Sequence, residues 1–389
     1  MSRVRPPEPA PESALIQAAN ALHDQALEQL ERGRLRRALV LCRHALGFVE
    51  RVSGSATADG ANVGNTLASI HEELGDLVEA ERLFQRSVEI CEPAAVDRDT
   101  HIICVQSLAG LAGVLRVAAR YAEAESLYRQ ALCHAERHLG PEHAETFALL
   151  NNLAVLYKFW GRFDDAASLY RRALLVAGTL YADDDPAMAT LYHNLGGLEH
   201  ARGRWAEGES WARRSVAIRE AALGADHIDV AQDLAALAAI LDGQGKLDEA
   251  ETLYRRALLI FESRLGPDHH HLCVSLNNLA AIHFARGNAL LAETYYRWSL
   301  ANREKLLGPD HPDVALTLSN LGALMCSVGK SEAAESMYQR ALRIFGHSLP
   351  PDHPHAVTCA RNYGDLLRRS GRDDAAERLE RRPKATVVA

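Results

Sequence analysis

The sequence predicts an all-α protein built from about nine antiparallel helical hairpins stacked one on the next. Three observations predict it: a residue mark that returns at one spacing along nearly the whole chain, an amphipathic stretch on each side of every mark, and a recurring junction phrase between the hairpins.

The spacing comes first. Gly161, in Trp160-Gly161-Arg162-Phe163, is followed by Gly203, Gly245, Gly287, Gly329 and Gly371, each 42 residues after the last. Toward the N-terminus Ala119 holds the same place in Ala119-Arg120-Tyr121, with Gly75 a further 44 residues back and Gly33 another 42. A glycine suits the position because the first helix of a hairpin can end there with a residue in the left-handed region, where a Cβ is penalised.

The flanking stretches come next. Before the mark runs Leu149-Leu150-Asn151-Asn152-Leu153-Ala154-Val155-Leu156-Tyr157, and after it Asp164 to Leu174. Ala166, Tyr170 and Ala173 are four and three residues apart, so they share one helix face. Ala124, Tyr128 and Ala131 repeat the pattern, as do Ala250, Tyr254 and Ala257, and Ala334, Tyr338 and Ala341. Alanine allows two helices to approach closely, and tyrosine fills the space beside it.

The junctions are equally regular. Leu139-Gly140-Pro141-Glu142-His143 returns around Asp226-His227, Asp268-His269, Asp310-His311 and Asp352-His353. Gly stops one helix and Pro prevents its continuation. The acidic residue is expected to cap the next helix and favour its positive end.

Composition sets outer bounds. At 389 residues, two or three globular domains would be usual, but a repeat array packs only neighbour on neighbour and can run as one. The chain is 48% hydrophobic and 24% charged, too apolar for disorder. A formal charge of −8 argues against nucleic acid or an anionic membrane surface as partner. The Arg-rich stretches, Arg32 to Arg43 and Arg361 to Lys384, read as solvated helix faces. Residues 1–13 are Pro-rich and lack the apolar core of a secretory leader, and no stretch approaches the ~18 apolar residues of a membrane span. Seven cysteines without C-x-x-C spacing read as reduced thiols, so the expected location is cytoplasmic.

These residues resemble the tetratricopeptide-repeat (TPR) family, in the 42-residue variety of kinesin light chains and many bacterial proteins. The resemblance implies an α-solenoid: helices A and B alternate in a right-handed superhelix, with the A helices lining a concave groove. It covers nearly the whole chain, so the expected organisation is a flexible arm at 1–13, a single solenoid at 14–383 and a tail at 384–389. Kinesin light chains carry a coiled coil ahead of their repeats, and 13 residues are too few for one, so a motor subunit is not expected. One unit departs from the pattern. Asp185 replaces the junction His, Glu199 the Tyr of helix A, and Gly208 and Ala212 the Ala and Tyr of helix B. Trp205 and Trp211 are expected to refill that space, giving a local irregularity.

Function is expected on the A-helix face opposite the anchors Leu153, Ala154 and Tyr157. One position of that face reads Asn152, Asn194, Ala236, Asn278, Asn320 and Asn362. Asparagine is a middling helix former, and its amide can donate and accept at once, as an extended peptide backbone requires. In peptide-gripping TPR proteins asparagines at this position do that work, while the plainer reading has them fix repeat geometry by bonding a neighbouring helix. The adjacent position reads Asn151, His193, Ala235, Asn277, Ser319 and Arg361, a polar and variable row suited to specificity. Gln232, Ala235, Ala236, Ala239 and Gly243 make one wall small enough for a bulky ligand side chain. Lys158, Arg361 and Arg369 are placed to meet carboxylates, and the resemblance to kinesin light chains implies a ligand with an aromatic flanked by acidic residues.

Catalysis finds little support, because no phosphate loop, dinucleotide fingerprint, nucleophile elbow or zinc-protease motif occurs. His269-His270-His271 reads as a junction rather than a metal tract, and Asp183-Asp184-Asp185 as a helix cap, so neither metal nor cofactor is expected. The leading expectation is a non-catalytic scaffold or adaptor whose groove holds a protein or peptide segment. The alternative is a regulatory partner that encloses a folded domain of an enzyme or NTPase. Partner identity and oligomeric state are left open.

Overall fold

The structure, a computed structural model, describes residues 11–54, 56–267, 269–349 and 353–380. The expected C-terminal tail, most of the N-terminal arm, and the junction residues Asp268 and Asp352 lie outside them. Among the described residues there are eighteen helices and no strand.

They fall into two compact units, Met1–Asn194 and Leu195–Ala389, each described by itself. The first holds the pairs α1 (Pro11–Glu31) with α2 (Leu35–Ser53), α3 (Ala58–Glu73) with α4 (Leu77–Ala94), α5 (Arg98–Val117) with α6 (Tyr121–His138), and α7 (Ala144–Phe159) with α8 (Phe163–Leu180). The division falls inside α9 (Pro186–Ala201). The second unit continues with α10 (Trp205–Leu223), then α11 (Ile228–Gly243) with α12 (Leu247–Leu265), and α13 (His270–Ala285) with α14 (Ala289–Leu307). It ends with α15 (Pro312–Ser327) and α16 (Ser331–Ser348), then α17 (Pro354–Arg369) and α18 (Asp373–Glu380). Helix α1 starts at Pro11, within the segment expected to be an arm.

The sequence marks sit where the A helices stop. Gly161 has φ +79° and Gly245 φ +76°. Ala119, the exception to glycine, is held at φ +59°, the only non-glycine with positive φ among the described residues. After each mark the B helix buries its small-and-aromatic face. Ala166, Tyr170 and Ala173 are fully buried, and Ala250, Tyr254 and Ala257 nearly so. Burying such a tyrosine is worth roughly 1.5–3 kcal/mol in apolar area, comparable to a phenylalanine.

The junctions hold a correction. The cap is the histidine, not the acidic residue before it. Nδ1 of His143 accepts from the Glu145 N–H at 3.1 Å, and His311 does the same for Asp313 at 3.1 Å. His227, His269 and His353 cap α11, α13 and α17 in this way. The histidine occupies the extended residue immediately before the helix, from which its ring reaches an otherwise unpaired N–H; the acidic residue stands one place too early. Asp185, which replaces that histidine, accepts from the Ala187 N–H at 2.8 Å, so the expected Asp cap is present.

The irregular repeat is compensated by close approach. A Cβ on Gly208 would lie 3.2 Å from the Gly196 carbonyl oxygen, and one on Gly196 would lie 3.3 Å from that of Gly208, so two helix backbones touch where a tyrosine would stand. Trp205 is not the filler expected, whereas Trp211 is half-buried in α10. Trp205 is 40% exposed, and its indole lies over Gly243, 2.7 Å from where a Cβ would be. That indole forms one side of a hollow at the Gly243 end of the α11 wall, lined also by Arg204, Glu207 and Gln244.

Helix α5 is long and apolar enough, with a mean hydropathy of 1.4, to cross a membrane by length and composition alone, which the sequence reading does not anticipate. Its apolar character has a local cause: an A helix packs on its own B helix and on the pairs before and after it. Cys104, Val105, Leu108, Ala112, Val114 and Leu115 are all buried within the first unit.

Candidate functional site

The A helices carry the predicted asparagines on one face, where Asn152, Asn194, Asn277, Asn278, Asn320 and Asn362 are half-buried and Asn151 is buried. In the first unit, Nδ2 of Asn194 donates to Oδ1 of Asn151 at 2.9 Å, and Nδ2 of Asn151 lies 3.4 Å from Oδ1 of Asn152. Three predicted residues are thus joined across one repeat. His193 is half-buried beside them. A related contact lies earlier, where the Ser107 hydroxyl donates to Oδ1 of Asn65 at 3.0 Å.

In the second unit the rows separate into different roles. Nδ2 of Asn320 donates to Oδ1 of Asn277 at 3.2 Å, repeating the Asn194–Asn151 pair. Asn278 turns inward and donates to the hydroxyl of the buried Tyr254 at 3.0 Å. Ser319 is itself buried and hydrogen-bonds the Cys359 thiol, whose pKa burial pushes up to about 11. Gln232 and Asn362 are half-buried and Arg361 exposed; among the described residues none of the three joins an asparagine pair. Asparagine amides carry two donors and two acceptor lone pairs. The Asn194 and Asn320 side chains each make one hydrogen bond among the described residues, which leaves capacity on the half-exposed side.

Cations flank an aromatic at the end of α7. Phe159 is 56% exposed, with the Arg116 guanidinium 5.4 Å and the Lys158 ammonium 5.2 Å from its ring centroid. Burial and the neighbouring Arg116 charge hold the Lys158 pKa below its ordinary value. Glu72 also feels Arg116, but burial raises its carboxyl above the usual range. A second cluster stands beside it: Arg162 covers the Tyr157 and Trp160 rings.

Sequence reasoning missed a ladder of ion pairs that ties successive repeats within each unit, starting from the second hairpin. A glutamate on a B helix meets the cation at the following turn: Glu81 with Arg120 at 2.6 Å and Glu125 with Arg162 at 3.2 Å in the first unit. In the second, Glu209 meets Lys246 at 2.8 Å, Glu251 meets Arg286, Glu293 meets Lys330 at 3.3 Å, and Glu335 meets Arg372 at 2.6 Å. The Lys246 ammonium, helped by Gln244 and Arg213, outweighs burial and draws the Glu209 carboxyl down to about 2. For Glu125, burial opposes ionisation, and the bonds from Tyr157 and Arg129 prevail, leaving it below the usual range. The signal was in the sequence, since these glutamates hold one position of the repeat, Glu81 44 residues before Glu125 and Glu209 to Glu335 at steps of 42. Ala167 takes that place in α8, and Arg204 lies 3.9 Å from Glu199 and 3.9 Å from Glu207.

A second omission is a group of three histidines. His101 on α5 meets His134 and His138 on α6. Only the i, i+4 spacing of the last two was visible in the sequence; His101 lies 33 residues before His134 and is brought in by the hairpin.

The tetratricopeptide-repeat profile matches residues 102–176, 187–263, 236–305 and 271–347, and a second profile of the same description matches 61–92. No curated protein gives a significant sequence match. Among solved structures, the apo form of the quorum sensor NprR from B. thuringiensis is 13% identical, with a TM-score of 0.65, over 95% of this chain and 96% of that one. Aspartyl phosphate phosphatase F from Bacillus subtilis is 13% identical with a TM-score of 0.56, over 97% and 94%. BtubC (BKLC) from P. vanneervenii is 26% identical over 70% and 91%, with a TM-score of 0.36. Two of these share the fold across nearly the whole chain, and the profile covers more than half of it: the chain belongs to the tetratricopeptide-repeat family.

Proposed function

We propose that this protein is a non-catalytic adaptor or scaffold that holds a segment of another protein against its A helices. The observation that carries the reading is the asparagine pair, Asn151 with Asn194 and again Asn277 with Asn320. Each pair fixes its amides in orientation across one repeat and leaves further donors and acceptors on a half-exposed face. Fixed amides pay less ordering cost when they meet a peptide backbone. Membership in a family of binding repeats supports the same reading.

In the first unit the row is accompanied by Arg116, Lys158 and the exposed Phe159. Two neighbouring cations against one aromatic suit a ligand segment with an acidic residue beside an aromatic, because a carboxylate would offset the burial and the Arg116 repulsion that together lower Lys158. The seven cysteines are free thiols, which agrees with the reducing cytoplasm as the place of action.

Capture of partners from the native host, followed by mapping of the bound region with short peptides, tests the reading. A short acidic, aromatic-containing peptide should compete. Asn152→Ala with Asn194→Ala should weaken binding by about 1–3 kcal/mol, as two or more ligand polar groups lose partners. Lys158→Glu should weaken it further and remove part of its salt dependence. Unchanged affinity in both variants would refute the groove assignment. A requirement for a whole folded domain, with no competing peptide, would favour a regulatory partner that encloses such a domain.

A further inference from the structure

His101, His134 and His138 present one ligand nitrogen each, all within 4.8 Å of one another. Nδ1 of His101 lies 3.0 Å from Nε2 of His134. The His138 ring stacks on His101 with centroids 4.1 Å apart and lies 4.6 Å from that of His134. Each ring therefore has a nitrogen on the shared side, two of the rings half-buried and His138 exposed. Tetrahedral coordination at ~2.0–2.1 Å places ligand nitrogens about 3.3 Å apart, so the His101–His134 separation is near what an ion would set.

The geometry points to a site for one late first-row divalent ion of the zinc class, held by His101 through Nδ1, His134 through Nε2 and His138. Imidazole is the donor that Zn²⁺, Co²⁺, Ni²⁺ and Cu²⁺ share, and a set of three leaves at least one coordination position for solvent. His101 would keep its proton on Nε2 and His134 on Nδ1, so the proton between the two rings moves to a far nitrogen when the ion enters. Burial, together with the other imidazoles, holds the His134 pKa low, and His138 is lowered as well. Arg137 opposes a cation here, while Asp97, close enough to sense His101, offsets it. The ion would pin the start of α5 to the end of α6, independently of any peptide ligand.

The test uses the full chain without a histidine tag. Stripped of metal and titrated with Co²⁺ and then Zn²⁺, it should take up one equivalent, show the visible bands of tetrahedral imidazole-bound Co²⁺, and melt at a higher temperature with Zn²⁺. His138→Ala sits on the exposed side and should leave the fold intact while weakening Co²⁺ at least tenfold. His134→Ala with His138→Ala should abolish both the bands and the Zn²⁺ stabilisation. His270→Asn, in the other histidine-rich segment, should change neither. Absence of tetrahedral Co²⁺ bands in the wild type, or the same bands and affinity in His138→Ala, would overturn the assignment.

Discussion

His311 closes the first turn of α15 through a single ring nitrogen, and the same geometry recurs at four other junctions. A side-chain acceptor at this position satisfies a backbone N–H that would otherwise find no partner in the helix. His311→Ala should therefore cost about 1 kcal/mol in urea unfolding, in the usual range for removing a cap. Asp310→Ala should cost little. The reverse ranking would mean that the acidic residue caps after all. The sequence showed that His311 recurs but not what it does, because a repeated residue carries no sign of which backbone N–H its ring faces. The asparagines were legible in a similar, partial way. Their register was plain, whereas the turn of Asn278 toward Tyr254 and the burial of Ser319 depend on the neighbouring helix and leave no local mark.

At the level of the helix, period and face were readable because 42-residue spacing and the Ala-Tyr-Ala pattern are properties of one segment at a time. Contacts between segments were not. The glutamate ladder joins residues 35 to 39 apart, and the histidine trio forms only once α5 folds back on α6. Helix α10 shows how a missing side chain reaches beyond its own position. It buries Gly208, Ala212, Ser215 and Val216, whereas α12 buries Tyr254, Leu258, Ile260 and Phe261 along with its alanines. Each large side chain contributes roughly 1.5–3 kcal/mol of apolar burial, and α10 has one where α12 has four. The close Gly196–Gly208 approach removes a void but supplies little apolar area. The buried Asp233, bonded by Ser215 at 2.5 Å and paired with Arg219 at 3.3 Å, offsets part of the difference. Amide hydrogen exchange should accordingly be at least tenfold faster through the middle of α10 than through α12, a gap of about 1.4 kcal/mol in opening free energy. Equal protection in the two helices would show that the glycine contact fully replaces the lost tyrosine.

Across the whole molecule, acid should act in two stages, and the first belongs to histidines. Burial holds His23, His269, His270, His283 and His355 below the ordinary imidazole value, and His271, stacked on Phe261, lies at about 4. The unfolded chain takes up protons on these rings near pH 6.5, while the folded chain resists until lower pH, so their contribution is fully present above about 6.5 and declines as acid is added. The ladder carboxylates follow later. Glu125, Glu293 and Glu335 lie below the usual range and Glu209 at about 2, so their share persists down to about pH 4.5 and is lost beneath it. Glu72 and Asp242 run the other way, because burial raises both and their protonation favours the folded state, but two such groups oppose six histidines. In buffer with chelator and constant ionic strength, the melting temperature should therefore drop by several degrees between pH 7 and pH 5, before the ladder is touched. A loss of 1 kcal/mol lowers Tm by about 2–4 °C in units of this size, so the effect is measurable by circular dichroism. His271→Gln removes the most depressed ring and should flatten part of that slope, while Glu209→Gln should leave that slope unchanged, lower the melting temperature evenly above pH 4.5 and reduce only the fall below it. A melting temperature that stays level or rises from pH 7 to 5 would show that the buried rings gain compensating partners when they charge.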